Sequence, residues 1–240
     1  MIGFRDIHAH FVYGVDDGAQ KREDMFAMLD AAYQDGVTDL CATPHVTPGV
    51  KPFDGLSFSR HFEMAQDYCA QKGYPIDLHA GAEILYTPAI AHYAEEGLLP
   101  TLGNTRFALM EFVPDVSLRE CVQAIEMMEH SGYQLILAHI ERYSCMYHGN
   151  AYRIKSEHNV LYQMNCTTVI EKKHFLKARE IRGWLTDELI DYVATDQHNT
   201  SSRRTRMREA YHVLRNEYGI HYANKLVGLN RKKQIKKNTG

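Results

Sequence analysis

Strand-like apolar runs that end on a possible metal ligand recur along this 240-residue chain. The first run carries two histidines at alternate positions, in Asp6-Ile7-His8-Ala9-His10, so both face the same side of a strand. Later runs end on His, Glu or Asp, whose nitrogen and oxygen atoms bind divalent metals. These endings are His45, Glu83, Glu111, His139 and the triplet Asp196-Gln197-His198. One such ending is usually a structural residue, but six in one chain indicate a multinuclear metal site.

Helical patterns separate the strand-like runs, and this alternation predicts parallel βα units. The predicted strands cover residues 6–12, 37–42, 76–82, 107–112, 134–138, 161–166 and 190–195. The predicted helices cover residues 22–34, 58–72, 116–131 and 203–218. A further helix is predicted to start at Thr87 as N-cap, with Pro88 as its first residue. Seven units favour a closed or nearly closed barrel, which would bring the ligands together at the carboxyl ends of its strands.

Composition and charge narrow the range of functions. The apolar fraction of 45% supports a large core, and the formal net charge of −3 disfavours a general nucleic-acid-binding protein. The start of the chain lacks an apolar signal segment, and no run approaches the roughly 18 apolar residues that span a bilayer. We therefore expect one cytoplasmic domain over residues 1–240 that does not insert into membranes. Its basic tail after about residue 230 is expected to be frayed and solvated.

The cysteines exclude one class of phosphatase chemistry. Their number, five, is odd and no CxxC pair is present, which is typical of reduced thiols. None is followed six positions later by an arginine, the spacing that cysteine-dependent tyrosine phosphatases need. A tyrosine phosphatase with this sequence would therefore have to use metals.

Several segments resemble motifs of the polymerase-and-histidinol-phosphatase (PHP) superfamily. They are Asp6–His10, Thr43–His45, Gly81–Glu83, His139–Tyr143 and Asp196–Asn199. More narrowly, the segments Val15–Gly18, Ala108–Phe112 and Ala138–Tyr143 look like bacterial protein-tyrosine phosphatases of capsule and exopolysaccharide operons. The similarity runs in order from residue 6 to about residue 230. It implies an α/β fold, a distorted (β/α)7 TIM-like barrel, that carries three divalent metal ions.

The same resemblance implies a set of ligands for each metal ion. The first ion would be held by His8, His10, Glu83 and Asp196, and Glu83 would bridge to the second ion. The second site would be completed by Glu111 and His139, and the third would consist of Asp17, His45 and His198. Asp16 is the alternative to Asp17. Ligand atoms that are all nitrogen or oxygen suit manganese, iron or zinc, with manganese favoured.

The charge of such a centre favours a phosphate substrate. Three divalent ions bring six positive charges, against four carboxylates and a bridging hydroxide, so the centre stays cationic. Closely spaced metals can activate hydroxide and hold both the attacking and the leaving oxygen. The resulting hypothesis is direct, in-line attack of metal-bound hydroxide on phosphorus, without a phosphoenzyme.

Two arginines complete the predicted site. Arg142 comes three residues after His139, and Arg203 comes five residues after His198. A planar guanidinium can bind two phosphate oxygens at once. The resemblance implies that Arg142 and Arg203 are catalytic and, with His45, bind the substrate.

The leading interpretation is a metal-dependent protein-tyrosine phosphatase that acts on the phosphorylated, tyrosine-rich tail of a bacterial tyrosine kinase of polysaccharide synthesis. One alternative is a small-molecule phosphoesterase with histidinol-phosphatase-like activity, or a nuclease related to polymerase PHP domains. Asp17 and Glu111 disfavour it, because those relatives often carry histidine in these places. Another alternative is a catalytically silent metal-binding interaction module. Val46 replaces a basic residue of many relatives, and the loop Thr47–Gly55 is expected to border the pocket and alter substrate preference.

Overall fold

Short parallel strands build the centre of the molecule. The computed structural model describes residues 3–171 and 175–229, so the predicted tail lies outside the described residues. In this part of the chain the strands are β1 (Phe4–Ala9), β2 (Val37–Ala42), β3 (His45–Val46), β4 (Asp77–Ala80), β5 (Glu83–Leu85), β6 (Phe107–Glu111), β7 (Gln134–Leu137), β8 (Leu161–Asn165) and β9 (Tyr192–Ala194).

Helices follow most strands and cover the outside. They are α1 (Arg22–Asp35), α2 (Gly55–Lys72), α3 (Ile90–Glu95), α4 (Leu118–His130), α5 (Asn150–Glu157), α6 (Cys166–Glu171), α7 (Phe175–Thr186), α8 (Met207–Tyr218) and α9 (Ile220–Leu226). Single turns of 3₁₀ helix occur at Leu102–Asn104, Ile140–Arg142 and Ser144–Met146. None of the described helices is both long and apolar enough to cross a membrane.

The strands form a distorted barrel of seven βα units, as predicted. One sheet has the order β1-β2-β4 and the other β3-β5-β6-β7-β8-β9, with parallel pairing throughout. Because β3 follows β2 and β5 follows β4 after a two-residue break, each pair acts as one bent strand. The β9 end returns to β1, where Asp196 N donates to His8 O at 2.9 Å and His10 N to Gln197 O at 2.8 Å.

The bends between β2 and β3 and between β4 and β5 have local causes. At the first bend the Thr43 hydroxyl accepts a hydrogen bond from Ala9 N at 3.0 Å, so the side chain replaces a ladder partner. At the second bend a Cβ on Gly81 would lie 2.8 Å from Leu102 Cδ2 and 3.3 Å from Leu102 Cα, so a larger residue would have to displace Leu102. Both bends turn the chain toward the barrel mouth just before a predicted ligand.

All seven predicted strands are present, but most end earlier than predicted. The first spans Phe4–Ala9 instead of 6–12, and the last spans Tyr192–Ala194 instead of 190–195. The ladder stops because the chain turns where the polar side chains begin. His139 and Asp196 adopt left-handed φ values of 29° and 52°, which a strand does not accommodate.

The helix predictions were correct in position for α1, α2, α4 and α8, with three errors at helix starts. Helix α2 begins at Gly55, three residues earlier than predicted, with Asp54 as its N-cap. Thr87 is not an N-cap: its hydroxyl donates to Pro48 O at 2.9 Å, and α3 begins at Ile90. The last predicted helix begins at Met207, four residues later than 203. Helices α5, α6, α7 and α9 were not predicted; three of them are only six to eight residues long, too short for a clear helical period.

Apolar side chains close the barrel below the polar cluster. Leu109 precedes Glu111 on the same face of β6, and Ala194 ends β9 two residues before Asp196. Together with Ile7, Cys41 and Ile136 they belong to a buried cluster that is separate from the larger layer between strands and helices. The site therefore stands on an apolar floor, which excludes water from one side.

Candidate metal centre

Four candidate ligand atoms, at the end of β1, at the start of β5 and just after β9, surround one point. His8 Nε2 lies 3.1 Å from His10 Nε2 and 3.1 Å from Glu83 Oε2, and His10 Nε2 lies 3.3 Å from the same oxygen. Asp196 Oδ1 is 3.6 Å and 3.7 Å from the two nitrogens. Atoms bound to one ion at about 2.1 Å are about 3.0–3.5 Å apart. The spacing fits one divalent ion, and all four side chains are buried.

A second group of atoms shares Glu83 with the first. Glu83 Oε1 lies 2.8 Å from His139 Nε2, which is 3.5 Å from Glu111 Oε2. On the other side, His45 Nδ1 is 3.0 Å from Glu111 Oε1 and 3.2 Å from Glu83 Oε2. The two oxygens of Glu83 thus point into adjacent groups, as a bridging carboxylate requires.

The third group lies nearest to solvent. Asp17 Oδ1 is 3.3 Å from His45 Nε2 and 3.3 Å from His198 Nε2. The His198 ring stacks on His10 with centroids 3.9 Å apart. His198 Nε2 is buried and has no hydrogen-bond partner among the described residues. A buried imidazole nitrogen that lacks a hydrogen-bond partner and lies beside a carboxylate is typical of a metal ligand. The residues of this group therefore fit the third metal ion that the family resemblance implies.

The histidines are held from behind through their other nitrogen. In each case Nδ1 contacts an oxygen, which leaves Nε2 directed at the cluster and is typical of metal-binding histidines. The contacts are His8 with Gln163 Oε1 (3.1 Å), His10 with Asp16 Oδ2 (2.7 Å), His139 with Tyr143 Oη (3.3 Å) and His198 with Asp196 O (3.0 Å).

Asp16 and Asp17 have different surroundings. Asp16 accepts hydrogen bonds from His10 and from the backbone N–H groups of Gly18 at 2.9 Å and His45 at 3.2 Å. Its oxygens are therefore occupied by donors. Asp17 instead faces the imidazole nitrogens of the third group, so the geometry favours Asp17 as the ligand and Asp16 as a positioning residue.

The electrostatics of the cluster favour bound positive charge. Burial opposes a charge on His8, but Glu83 and Asp196 raise its pKa to about 10. Burial would raise the pKa of Glu83, yet His8, His10 and His139 hold it well below its usual range. Burial, His10 and Arg203 lower the pKa of His198 to about 4. Glu83 and Asp196 thus stay ionised and favour a proton on His8, which a divalent ion would displace, whereas His198 stays neutral as a ligand requires.

Both predicted arginines reach the mouth. Arg142 Nη2 lies 2.6 Å from Asp196 Oδ2, and Arg203 Nη2 lies 2.9 Å from Asp196 Oδ1. Arg142 reaches this point because the left-handed backbone of His139 starts a 3₁₀ turn that folds back over the strands. The two side chains are 42% and 39% exposed, so part of each guanidinium faces solvent above the ligands.

The sequence analysis missed three buried polar residues of the site or gave them no role. Asn165 Nδ2 donates to Asp196 Oδ2 at 2.8 Å, and Gln163 Nε2 donates to Asn165 Oδ1 at 2.8 Å. Asp6 accepts from Thr195 N at 3.0 Å, and burial raises the pKa of Asp6 to about 6. The sequence signal that could have found Gln163 and Asn165 is their alternation along the buried strand β8.

The cysteine thiols of the chain differ in chemical character from the residues of the candidate metal centre. Cys41, Cys69, Cys121 and Cys166 are buried, and all five cysteines are free. Burial raises the thiol pKa of Cys69 to about 11 and raises that of Cys41 and Cys166 as well. Buried thiols of raised pKa are poor nucleophiles. Cys145 differs: it is half-buried, and its contact with Cys121 lowers the pKa of its thiol.

Comparison with known proteins identifies the family. The sequence pattern of the family described as capsular polysaccharide synthesis, CpsB/CapC, matches residues 4–236. The chain belongs to the CpsB/CapC family. It is 31% identical over 242 residues to tyrosine-protein phosphatase CpsB of Streptococcus pneumoniae, covering 96% of this chain and 97% of that protein. It is 30% identical over 226 residues to tyrosine-protein phosphatase YwqE of Bacillus subtilis, covering 89% and 85%.

The fold of this CpsB/CapC member also matches a solved relative. A crystal structure from work on YwqE of Bacillus subtilis and CpsB of Streptococcus pneumoniae, described as unique metal-dependent tyrosine phosphatases, superposes with a TM-score of 0.81. The alignment is 24% identical and covers 91% of this chain and 89% of that chain. The barrel and the family resemblance inferred from the motifs are therefore confirmed.

Proposed function

We propose that this protein is a metal-dependent protein-tyrosine phosphatase, which cleaves the phosphate ester of phosphotyrosine with water. Its family and the names of its relatives support this function. The observation that carries the proposal is the convergence of three groups of imidazole and carboxylate side chains, two of them largely buried, beneath two half-exposed arginines. A phosphate bound between the proposed metal ions of these groups and the two arginines would contact positive charge on both sides.

We assign the metal ligands as predicted from the sequence: three divalent ions, manganese favoured over iron and zinc. The ligands are His8, His10, Glu83 and Asp196 for the first ion, Glu83, Glu111 and His139 for the second, and Asp17, His45 and His198 for the third. Bound ions of this kind offset phosphate charge and lower the pKa of a coordinated water. The observed position of His45 Nδ1 between Glu83 and Glu111 supports an additional role of His45 at the second site.

The arginines have separate tasks in this proposal. Arg142 shares Asp196 Oδ2 with the Asn165 amide, which fixes its guanidinium at the mouth. Arg203 pairs with Asp196 Oδ1, the same oxygen that faces His8 and His10. If that oxygen held an ion, its bond to Arg203 would weaken, and the half-exposed guanidinium would be available to a phosphate. Both residues would then orient the ester and stabilise the charge that develops on its oxygens.

The physiological partner in this proposal is the phosphorylated, tyrosine-rich tail of a bacterial tyrosine kinase that controls polysaccharide assembly. Membership of a capsule-synthesis family supports a protein substrate of this kind. A flexible tail suits the site because the arginines and His45 are only half-buried, so a peptide reaches them without rearrangement of the barrel.

The test compares three phosphoesters on one preparation. The purified protein is stripped with a chelator, reloaded with Mn²⁺ and given a phosphotyrosine peptide, a phosphoserine peptide and histidinol phosphate. We expect metal-dependent release of phosphate from phosphotyrosine, and its loss in Arg142→Ala. Turnover of histidinol phosphate alone would support a small-molecule phosphoesterase. Absence of any turnover with metal bound would support an interaction module.

A further inference from the structure

A cavity opens directly beside the candidate ligand cluster. It has a volume of about 650 Å³, and its lining includes the candidate ligands Asp17, His45 and Glu111. Apolar residues line it as well, and we call Val46, Pro52, Phe53 and Leu85 the apolar wall. A group attached to a phosphate at the ligand cluster would therefore leave the site along this wall.

The wall is held in place by its own loop. Val50 N and Lys51 N both donate to Thr47 O, at 3.1 Å and 3.2 Å, which closes a tight turn. Gly49 has φ of +75°, and a Cβ there would lie 2.5 Å from Ala89 Cβ, so the turn packs closely against the residues before α3. These contacts hold the loop from Thr47 to Lys51 in place beside the cavity.

An aromatic row supports Phe53 from behind. The Phe53 ring lies 5.6 Å from Phe58, Phe58 lies 5.7 Å from Phe62, and Phe62 lies 6.5 Å from the buried Phe11. The row connects the cavity wall to the core, so Phe53 presents a fixed face. Rings prefer such partners at centroid distances of 4.5–7 Å.

The cavity offers little to a charged leaving group. Asp17 and Glu111 are assigned as metal ligands, and Asp16 accepts hydrogen bonds from His10 and from two backbone N–H groups. The other charged residues of the lining are Lys51 and Asp54, one of each sign. An uncharged aromatic ring needs no ionic partner and matches the apolar wall.

We propose that this cavity is the subsite for the tyrosine ring of the substrate and that Phe53 and Val46 select an aryl over an alkyl phosphate. The inference rests on the proposed phosphatase function. The phosphate is held at the arginines, and the ring lies against Phe53 before the peptide reaches solvent.

The test compares Phe53→Ala with Phe53→Tyr, which keeps the ring, and with Phe26→Ala. Phe26 is a matched control because it is half-buried and stacked on Tyr68, with centroids 3.9 Å apart, on α1 outside the cavity. The substrates are p-nitrophenyl phosphate, a phosphotyrosine peptide and a phosphoserine peptide. We expect Phe53→Ala to lower kcat/KM for both aryl substrates about tenfold, the effect of one aromatic pair, and to leave the phosphoserine value unchanged. The two other variants should keep the wild-type ratio.

A binding measurement separates this inference from the function on which it rests. Calorimetric titration with phenylphosphonate and methylphosphonate reports on the subsite without turnover. Weaker binding of phenylphosphonate alone in Phe53→Ala supports the subsite; equal effects on both probes, or none, overturn it. If the wild type hydrolyses no phosphoester, the phosphatase function fails, and the titration still decides the assignment of the ring subsite.

Discussion

Replacing Asp16 by alanine separates the role of this carboxylate from that of Asp17. The Asp16 side chain is 3% exposed and accepts three hydrogen bonds, from His10 Nδ1 and from two backbone N–H groups. The Asp17 side chain is 63% exposed and faces only the third group of ligands. Asp16→Ala should therefore damage the fold and the metal site together, whereas Asp17→Ala should damage the metal site alone.

The magnitude follows from the number of donors left unpaired. A buried donor that loses its acceptor costs about 1–3 kcal/mol. At the lower limit, three donors reduce the free energy of unfolding of the metal-free protein by about 3 kcal/mol, which lowers Tm by about 6–12 °C in a chain of this length. Release of His10 Nδ1 should also weaken metal binding about 10–100-fold. Asp17→Ala, a surface change, should move the metal-free Tm by no more than about 2 °C.

The assay uses chelator-treated protein. Thermal unfolding followed by circular dichroism gives Tm for the wild type and both variants, and calorimetric titration with Mn²⁺ then gives affinity and stoichiometry. Asp17→Ala should lose one bound ion at nearly unchanged metal-free Tm. Equal Tm values for Asp16→Ala and the wild type would refute the positioning role of Asp16.

Three further outcomes are expected. Arg203→Lys keeps the charge but not the planar fork, so kcat/KM for a phosphotyrosine peptide should fall about tenfold or more, with the metal content by mass spectrometry unchanged. Burial opposes a charge on His8, but Glu83 and Asp196 raise its pKa to about 10 in the metal-free protein. The stability it contributes is full below its unfolded pKa and is lost as pH rises through about 10, so urea unfolding should show decreasing stability from pH 6.5 to 10, and a smaller change after metal loading. Gly49→Ala combines a φ of +75° with a Cβ contact of 2.5 Å, so it should destabilise the protein by about 1–3 kcal/mol, measured by urea unfolding.

Local sequence pattern was sufficient for the barrel and for most of the candidate ligands. Strand period, helical period and helix stops such as Gly36, with φ of 97°, are properties of neighbouring residues, so they can be read without the fold. The same is true of His8 and His10, whose spacing places them on one face. One kind of error arose where a distant group competes, as at Thr87, whose hydroxyl binds Pro48 O instead of capping α3. Another arose in helices of six to eight residues, which are too short to show a helical period.

The groups that orient the candidate ligands required the tertiary structure. Gln163 holds both the His8 ring and the His139 backbone from a strand that is far from either in sequence. Asn165 supports Asp196 across two strands. Such pairings depend on strand register and on the closure of the barrel, which sequence spacing does not encode.

The sequence by itself determined which residue types lie at the strand ends, and therefore that candidate nitrogen and oxygen ligands gather at one mouth of the barrel. Only the tertiary structure decided that Asp16 binds donors while Asp17 faces the cluster, and that Phe53 and Val46 stand beside the ligands. The physical reason is that ligand chemistry belongs to single side chains. Orientation and shape depend on contacts between segments that are brought together only when the barrel closes.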